Sequence, residues 1–284
     1  NSLEEIEKFT DPRISVYHRD EPGPGGYAAR NLGIEKARGK WISFLDADDK
    51  WYQDHLEQML NLSMRYPDVF LLTSAKLIEQ NGSIKKDEFS TAQSVENKVF
   101  TVFDYLKYSI FYEKPFNSNS VVIHHTLIES NKMIFPAGRA ARSGDIYAWI
   151  KLVSKAKFFS WSNHLGSHTY KDIVGVSKTS VPSILLNRQM VDEQKINFGS
   201  AELQLLKKYA NRLMCTAYLE QKRLQGYTEI SLFNAFYWRQ DLPFCMFWVI
   251  FTLLPQPVLS FAKTVKRKLK TKGRVAKQSS RNNK

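Results

Sequence analysis

The sequence predicts an α/β fold: a mostly parallel sheet flanked by helices, followed by a helical carboxyl-terminal extension. Three observations predict it. The apolar run Trp41–Leu45 has the length and composition of a buried strand in a parallel sheet, and it ends abruptly in Asp46, Asp48 and Asp49. Just upstream, a glycine-rich turn opens the stretch Tyr27–Ala37, where Ala28, Leu32 and Ile34 supply helical apolar positions and Gly39 ends the pattern. From Ile184 onward the pattern changes to long stretches with apolar residues three or four apart.

In chain order, Ser2–Phe9 reads as a short helix with Leu3, Ile6 and Phe9 as its stripe, broken by Asp11-Pro12. Ile14–Tyr17 reads as a strand, and Glu21–Gly26 must be a loop. After Trp41–Leu45, Gln53–Arg65 is a helix whose stripe Leu56, Met59, Leu60 and Met64 is expected to be core. Asp68–Ile78 is a strand or strand pair, and Asn81-Gly82 is a hairpin turn. The polar stretch Lys85–Asn97 is expected to loop over the surface. Val99–Ser109 reads as a helix, Asn117–His124 as a strand, Thr126–Lys132 as a short helix and Met133–Gly144 as a loop. Asp145–Ser154 is a helix with Ile146, Trp149, Ile150 and Val153 on one face, and Lys157–Trp161 is a strand. Helices follow at Ile184–Asn197, Ala201–Leu224 and, after Gly226-Tyr227-Thr228, Ile230–Tyr237. Leu242–Ala262 is almost wholly apolar, but Pro255 and Pro257 split it. Phe244–Leu254 is too short to span a bilayer, and suits either a helix in the membrane interface or one docked on the body.

The chain has 284 residues, 43% of them apolar, enough for one large domain or one domain with a smaller partner. Its net charge of +13 is uneven: residues 263–284 hold ten Lys or Arg and no acid, so the rest is only mildly basic. Such a tail, expected to be disordered, suits nucleic acid or an anionic membrane surface. Cys215 and Cys245 have no metal-ligand spacing and read as reduced structural thiols, as in a cytosolic setting. No secretory signal peptide is visible, in a chain that opens on Asn1.

The acids after Leu45 sit where ligands bind in open α/β sheets. In extended geometry Asp46 and Asp48 point the same way, and two converging carboxylates repel unless a cation joins them. Hard oxygen ligands suit Mg²⁺ or Mn²⁺, which bridge to phosphate oxygens. The plain alternative is an acidic turn with Asp48 or Asp49 capping the next helix.

The segment GYAARNLGIEKARGKWISFLDADD resembles the family 2 glycosyltransferases, whose pattern is G-x-x-x-A-R-N-x-G-I, then A-x-G, an apolar strand and L-D-x-D-D. A second match is Gly144-Asp145 before the aromatic helix IYAWIKLV. The resemblance covers roughly residues 2–178 and implies a GT-A (Rossmann-like) fold. It implies an inverting transfer of sugar from a nucleotide-diphosphate donor to an acceptor hydroxyl, in bacterial surface polysaccharide or lipid-linked oligosaccharide synthesis. Asp145 would be the catalytic base; Asp46 and Asp48 would hold Mg²⁺ or Mn²⁺, with Asp46 also serving the ribose. Arg30, Asn31, Gly33, Asp46, Asp48 and Tyr170 would serve the donor, with Asn31 and Gly33 shaping the turn; His168 is a further candidate. In the family a D-D-G-S-x-D turn precedes the counterpart of Asn1, so the first βαβ portion is expected to be missing. The expected domains are residues 1–180, GT-A; 181–262, helical, with a possible membrane-interface helix at 242–262; and the tail. The expected location is the cytoplasmic side of the cell membrane, with peripheral membrane contact and no nucleic acid as partner. Two alternatives compete: a metal-dependent nucleotidyltransferase, which would need neither motif, and a non-catalytic membrane or nucleic-acid binding module using the tail.

Overall fold

A computed structural model describes residues 2–21, 23–93, 97–111, 114–128, 132–172 and 179–253. The sequence reading of the tail, of residues 254–262 and of the stretch 173–178 lies outside them. The α/β class with flanking helices and a helical carboxyl-terminal region is present. Its sheet is mixed rather than mostly parallel. The strands are β1 (Trp41–Ser43), β2 (Lys50–Trp51), β3 (Leu71–Gln80), β4 (Ser83–Lys86), β5 (Asn97–Thr101), β6 (Val121–His124) and β7 (Phe158–Tyr170). They run in the order β1-β6-β3-β7-β2, with β4 on β3 and β5 on β7. Among the described residues only the β3–β7 pairing is parallel. β3 and β7 are therefore the buried spine, and β6 is fully buried between β1 and β3.

The helices are α1 (Ser2–Glu7), α2 (Tyr27–Lys36), α3 (His55–Arg65), α4 (Glu88–Thr91), α5 (Val102–Phe111), α6 (Gly144–Ala156), α7 (Ile184–Gln194), α8 (Ser200–Gln225), α9 (Leu232–Ala235) and α10 (Leu242–Thr252). Helix α6 is buried along most of its length because Ile146, Trp149, Ile150 and Val153 face one side while Tyr147, Ala148 and Leu152 meet neighbours on others. An aromatic cluster of Phe89, Phe100, Tyr105, Phe116, Phe159 and Trp161 fills the space between sheet and helices. The same apolar core continues through Leu206, Met214 and Cys245, so the helices after residue 183 share it with the sheet.

Several local expectations are corrected. Ile14–Tyr17 is no strand: Ile14, Val16 and Tyr17 are exposed, and no described strand lies beside them. Strand β1 stops at Ser43 and is half-buried, pairing on one side with β6. Val99 belongs to β5, and the helix begins only at Val102, after Asp104 accepts the Thr101 N–H. The polar stretch after Lys85 holds the end of β4 and the buried turn of α4. There Asp87 caps Ser90 and lies 3.6 Å from the buried Lys76 ammonium, so its polar residues answer one another inside. Strand β7 runs well past Trp161. Only His125–Leu127 of the expected short helix is helical, as one 3₁₀ turn; residues 129–131 lie outside the description. On α3 the buried face is His55, Met59 and Leu62, whereas Leu56, Leu60 and Met64 are exposed. The Asn81-Gly82 hairpin is as expected, both residues taking positive φ between β3 and β4.

His55 opens α3 in full burial, its ring 5.0 Å from that of Trp51, and neither ring nitrogen has a protein hydrogen-bond partner. Burial pushes its pKa down to about 4, the nearby His164 adding to the effect. The unfolded chain therefore binds a proton that the folded chain refuses. The stability this withholds is fully present above the ordinary His value and is lost as pH falls toward the folded one. Urea unfolding at pH 7.5 and pH 5 is expected to show a loss of about 2 kcal/mol from this residue. The loss is expected to be absent from His55→Gln.

Candidate active site

The acidic stretch after β1 is a turn rather than an extended segment: the Asp49 N–H donates to the Asp46 carbonyl at 3.0 Å. The turn separates the three carboxylates. Asp46 points inward, where Arg30 of α2 donates to its Oδ1 through Nη2. Arg30 is itself held by donating to the Gly25 carbonyl (2.9 Å) and by lying 5.5 Å over the Phe135 ring. Asp49 turns back into the fold, accepting from the Tyr170 N–H (2.8 Å) and from the Asn119 amide. Burial above all, with Asp48 and Asp46 contributing, pushes the Asp49 carboxyl up. Asp48 faces solvent. Neither Asp48 nor Asp49 caps the next helix, whose N-cap is Asp54.

One side chain organises the turn. Asn119 accepts the Asp46 N–H at 2.7 Å, donates to Asp49, and its backbone carbonyl takes the Trp51 indole N–H at 2.7 Å. It belongs to a strap, residues 114–120, that crosses toward α6. At the other end of the strap Lys114 Nζ lies 3.7 Å from Asp145 Oδ2.

Asp145 lies in the first turn of α6, where the helix dipole favours a carboxylate. Ser143 before it takes the left-handed conformation, φ 64°, which turns the chain into the cleft. Gly144 cannot carry a side chain there: a Cβ would lie 2.8 Å from Pro136 Cγ and from the Tyr27 ring. Its N–H donates to Tyr27 Oη at 2.8 Å. Tyr27 in turn needs the turn before α2, since a Cβ on Gly25, which has φ 72°, would sit 2.5 Å from its ring. Burial, then the charge of Asp145, pushes the Tyr27 phenol up to about 12, so it stays protonated.

These groups line one cleft of about 640 Å³, which Arg30, Asp46, Asp48 and Asp49 share with Lys114, Asp145, Arg142, Tyr170 and Lys171. The expected site residues Arg30, Asp46, Asp48, Tyr170 and Asp145 are thus brought together. Asn31 and Gly33 are not. Asn31 is buried, donating to the Phe135 carbonyl (2.9 Å) and accepting from the Ile134 and Phe135 N–H groups. Gly33 is exposed on α2. His168 lies buried with its ring stacked on Tyr170, 4.5 Å between centroids, and Nε2 3.1 Å from the Glu79 carboxylate. Asn119, Lys114 and Arg142 were not singled out in the sequence; the run Asn117-Ser118-Asn119-Ser120 before an apolar strand was the available signal for the strap.

Asp46 and Asp48 offer two hard carboxylate ligands. Among the described residues no group of three or more His, Cys, Asp or Glu side chains is gathered for a metal. Carboxylates of this kind suit Mg²⁺ or Mn²⁺, ions that keep waters and complete their shell with phosphate oxygens, while the turn holds Asp46 on Arg30 and leaves Asp48 to solvent.

Residues 1–125 match the family model described as glycosyl transferase family 2. An uncharacterized glycosyltransferase of Rickettsia felis is 29% identical over 270 residues, covering 89% of this chain and 41% of that protein. The amylovoran biosynthesis glycosyltransferase AmsB of Erwinia amylovora is 43% identical over 84 residues, 28% of each chain. The chain thus spans less than half the length of these relatives. Residues 1–349 of S. aureus TarS, solved in complex with UDP-GlcNAc, superpose with a TM-score of 0.64 at 16% identity, covering 82% of this chain and 66% of that one. The likeness is one of fold.

Asn119→Ala would leave the buried side of the acidic turn without its partner. It is expected to cost about 2 kcal/mol, since Asp49 keeps its burial and loses a hydrogen bond. Thermal unfolding measures it.

Proposed function

We propose that this chain, whose residues 1–125 match the glycosyl transferase family 2 model, moves a sugar from a nucleotide-diphosphate donor to an acceptor hydroxyl with inversion at the anomeric carbon. The observation that carries the proposal is that Asp46, Asp48 and Asp145 line one cleft. In this reading Asp48 and Asp46 would hold a divalent ion, which would supply positive charge toward the departing diphosphate. Arg30 fixes the orientation of Asp46. Asp145 accepts the proton of the acceptor hydroxyl as that oxygen bonds to the anomeric carbon. The bond from that carbon to the diphosphate oxygen breaks, and its electron pair leaves with the nucleoside diphosphate. One base and a single displacement give inversion.

Polysaccharide synthesis is supported by the amylovoran enzyme among the relatives, and a nucleotide-sugar donor by the UDP-GlcNAc bound to TarS. A nucleotidyltransferase shares the paired carboxylates but has no use for Asp145 in its position. Peripheral membrane contact is supported by α10. One of its faces docks on the body through Cys245 and through Phe244, which lies 4.5 Å beneath the Arg212 guanidinium. The other leaves Met246, Phe247, Ile250 and Leu253 exposed, ahead of the basic residues 263–284. No described helix is long and apolar enough to cross a membrane.

Nucleoside diphosphate release from a panel of UDP-, GDP- and dTDP-sugars, with Mn²⁺ or Mg²⁺ and saccharide or lipid-linked acceptors, tests the reading. Asp145→Asn is expected to lower turnover by about a thousandfold, the range for loss of a general base. Asp48→Ala is expected to abolish the metal dependence along with most activity. Nucleotide-independent behaviour in all variants would refute it. Sedimentation with anionic vesicles is expected for the full chain and to be lost, with turnover retained, when residues 263–284 are removed.

A further inference from the structure

Among the described residues four cations line the cleft, and the two arginines have settled places. Arg30 is locked between Asp46, the Gly25 carbonyl and the Phe135 ring. Arg142 reaches Glu220 of α8 at 3.3 Å, and its backbone bridges to Pro182. Lys171 stands on the exposed rim. Lys114 differs. Its ammonium meets Asp145 at 3.7 Å, the longest of the cleft's ion pairs, with both side chains one-third exposed. A contact of that length is charge attraction without a short hydrogen bond.

The backbone that follows Lys114 is held in place. The next carbonyl, of Pro115, accepts from the buried Lys76 ammonium at 3.3 Å. Asn117 donates to Thr169 at 3.1 Å, and Asn119 grips the acidic turn. The stem of Lys114 is flexible and carries a compact charge with rotatable donors. A diphosphate carries more charge than one carboxylate, and Lys114 lines the same cleft as Asp46 and Asp145.

We propose that Lys114 is a positioning residue shared by the base and the donor: it faces Asp145 until a nucleoside diphosphate group binds, then moves to the phosphates and frees the Asp145 carboxylate for the acceptor hydroxyl. This rests on the sugar-transfer reading above and adds to it an order of events, because base and donor compete for one cation. Binding of the donor becomes the event that releases the base.

Competition has a thermodynamic signature that a structural role lacks. Isothermal titration of UDP, GDP and dTDP, each with Mn²⁺, would be run on the full chain, Asp145→Asn, Lys114→Met and the double variant. Asp145→Asn is expected to bind the nucleotide about fivefold tighter than wild type, the worth of a partly exposed ion pair. In the Lys114→Met background the same substitution is expected to gain less than about twofold. Lys114→Met alone weakens binding, and Lys114→Arg restores it. Lys114→Gln repeats the cycle should the methionine variant fold poorly. Equal gains in both backgrounds would overturn this proposal and leave the sugar-transfer reading intact. Failure of the folded wild-type chain to bind any of the three nucleotides would overturn both.

Discussion

Like charges set the terms for this molecule. Four carboxylates, Asp46, Asp48, Asp49 and Asp145, line one cleft, and each that turns inward is answered by a different kind of group. Arg30 answers Asp46 with a guanidinium, Asn119 and the Tyr170 N–H answer Asp49 with neutral donors, and Lys114 faces Asp145 with a mobile ammonium. Asp48 alone is left to water. Remove any of these answers and the acids repel or protonate. The architecture around them is what brings the answers into place: α2 delivers Arg30, β7 ends at Tyr170, and the strap before β6 delivers Asn119 and Lys114.

The two halves of the cleft are also locked to each other by sterics. Tyr27 on α2 receives the Gly144 N–H of α6, and neither Gly25 nor Gly144 has room for a Cβ beside its ring. Asn31, one turn further along α2, binds the segment at Ile134–Phe135 through three hydrogen bonds. The glycine-rich turn and the asparagine thus act on protein partners, and through them on where Asp145 stands.

This explains what the sequence made legible. Asp46, Asp48, Arg30 and Asp145 could be read because their chemistry depends on short spacings: acids at a strand end, an arginine in the preceding helix, an acid at a helix start. Asn31 stood in the same motif, yet its partners lie about a hundred residues away and no local pattern announces them. The direction of strand pairing is equally non-local. An apolar run such as Val121–Ile123 reads alike in a parallel or an antiparallel neighbourhood, and the mixed sheet could not be read from it. The exposed stripe Leu56, Leu60 and Met64 has the same helical spacing as a core face, so periodicity chose the wrong side of α3. Lys114 gives no signal, and Asn119 only that of a polar run before an apolar strand, because a lysine and an asparagine in a polar loop are ordinary until the fold shows what they face.

Arg142 gives the molecule a seam in an unexpected place. It lines the cleft from the segment before α6, yet its guanidinium is held by Glu220 of α8, and Glu220 also takes Arg223. Through this ion pair the helical region touches the chemistry. A protein engineer who recombines modules at a junction near residue 180 would cut between the two partners. The chimera would inherit an arginine in its cleft whose anchor belongs to another parent. Exchange of the helical module is thus a graft that must carry Arg142 with it, and the functional unit is wider than the boundary drawn by composition.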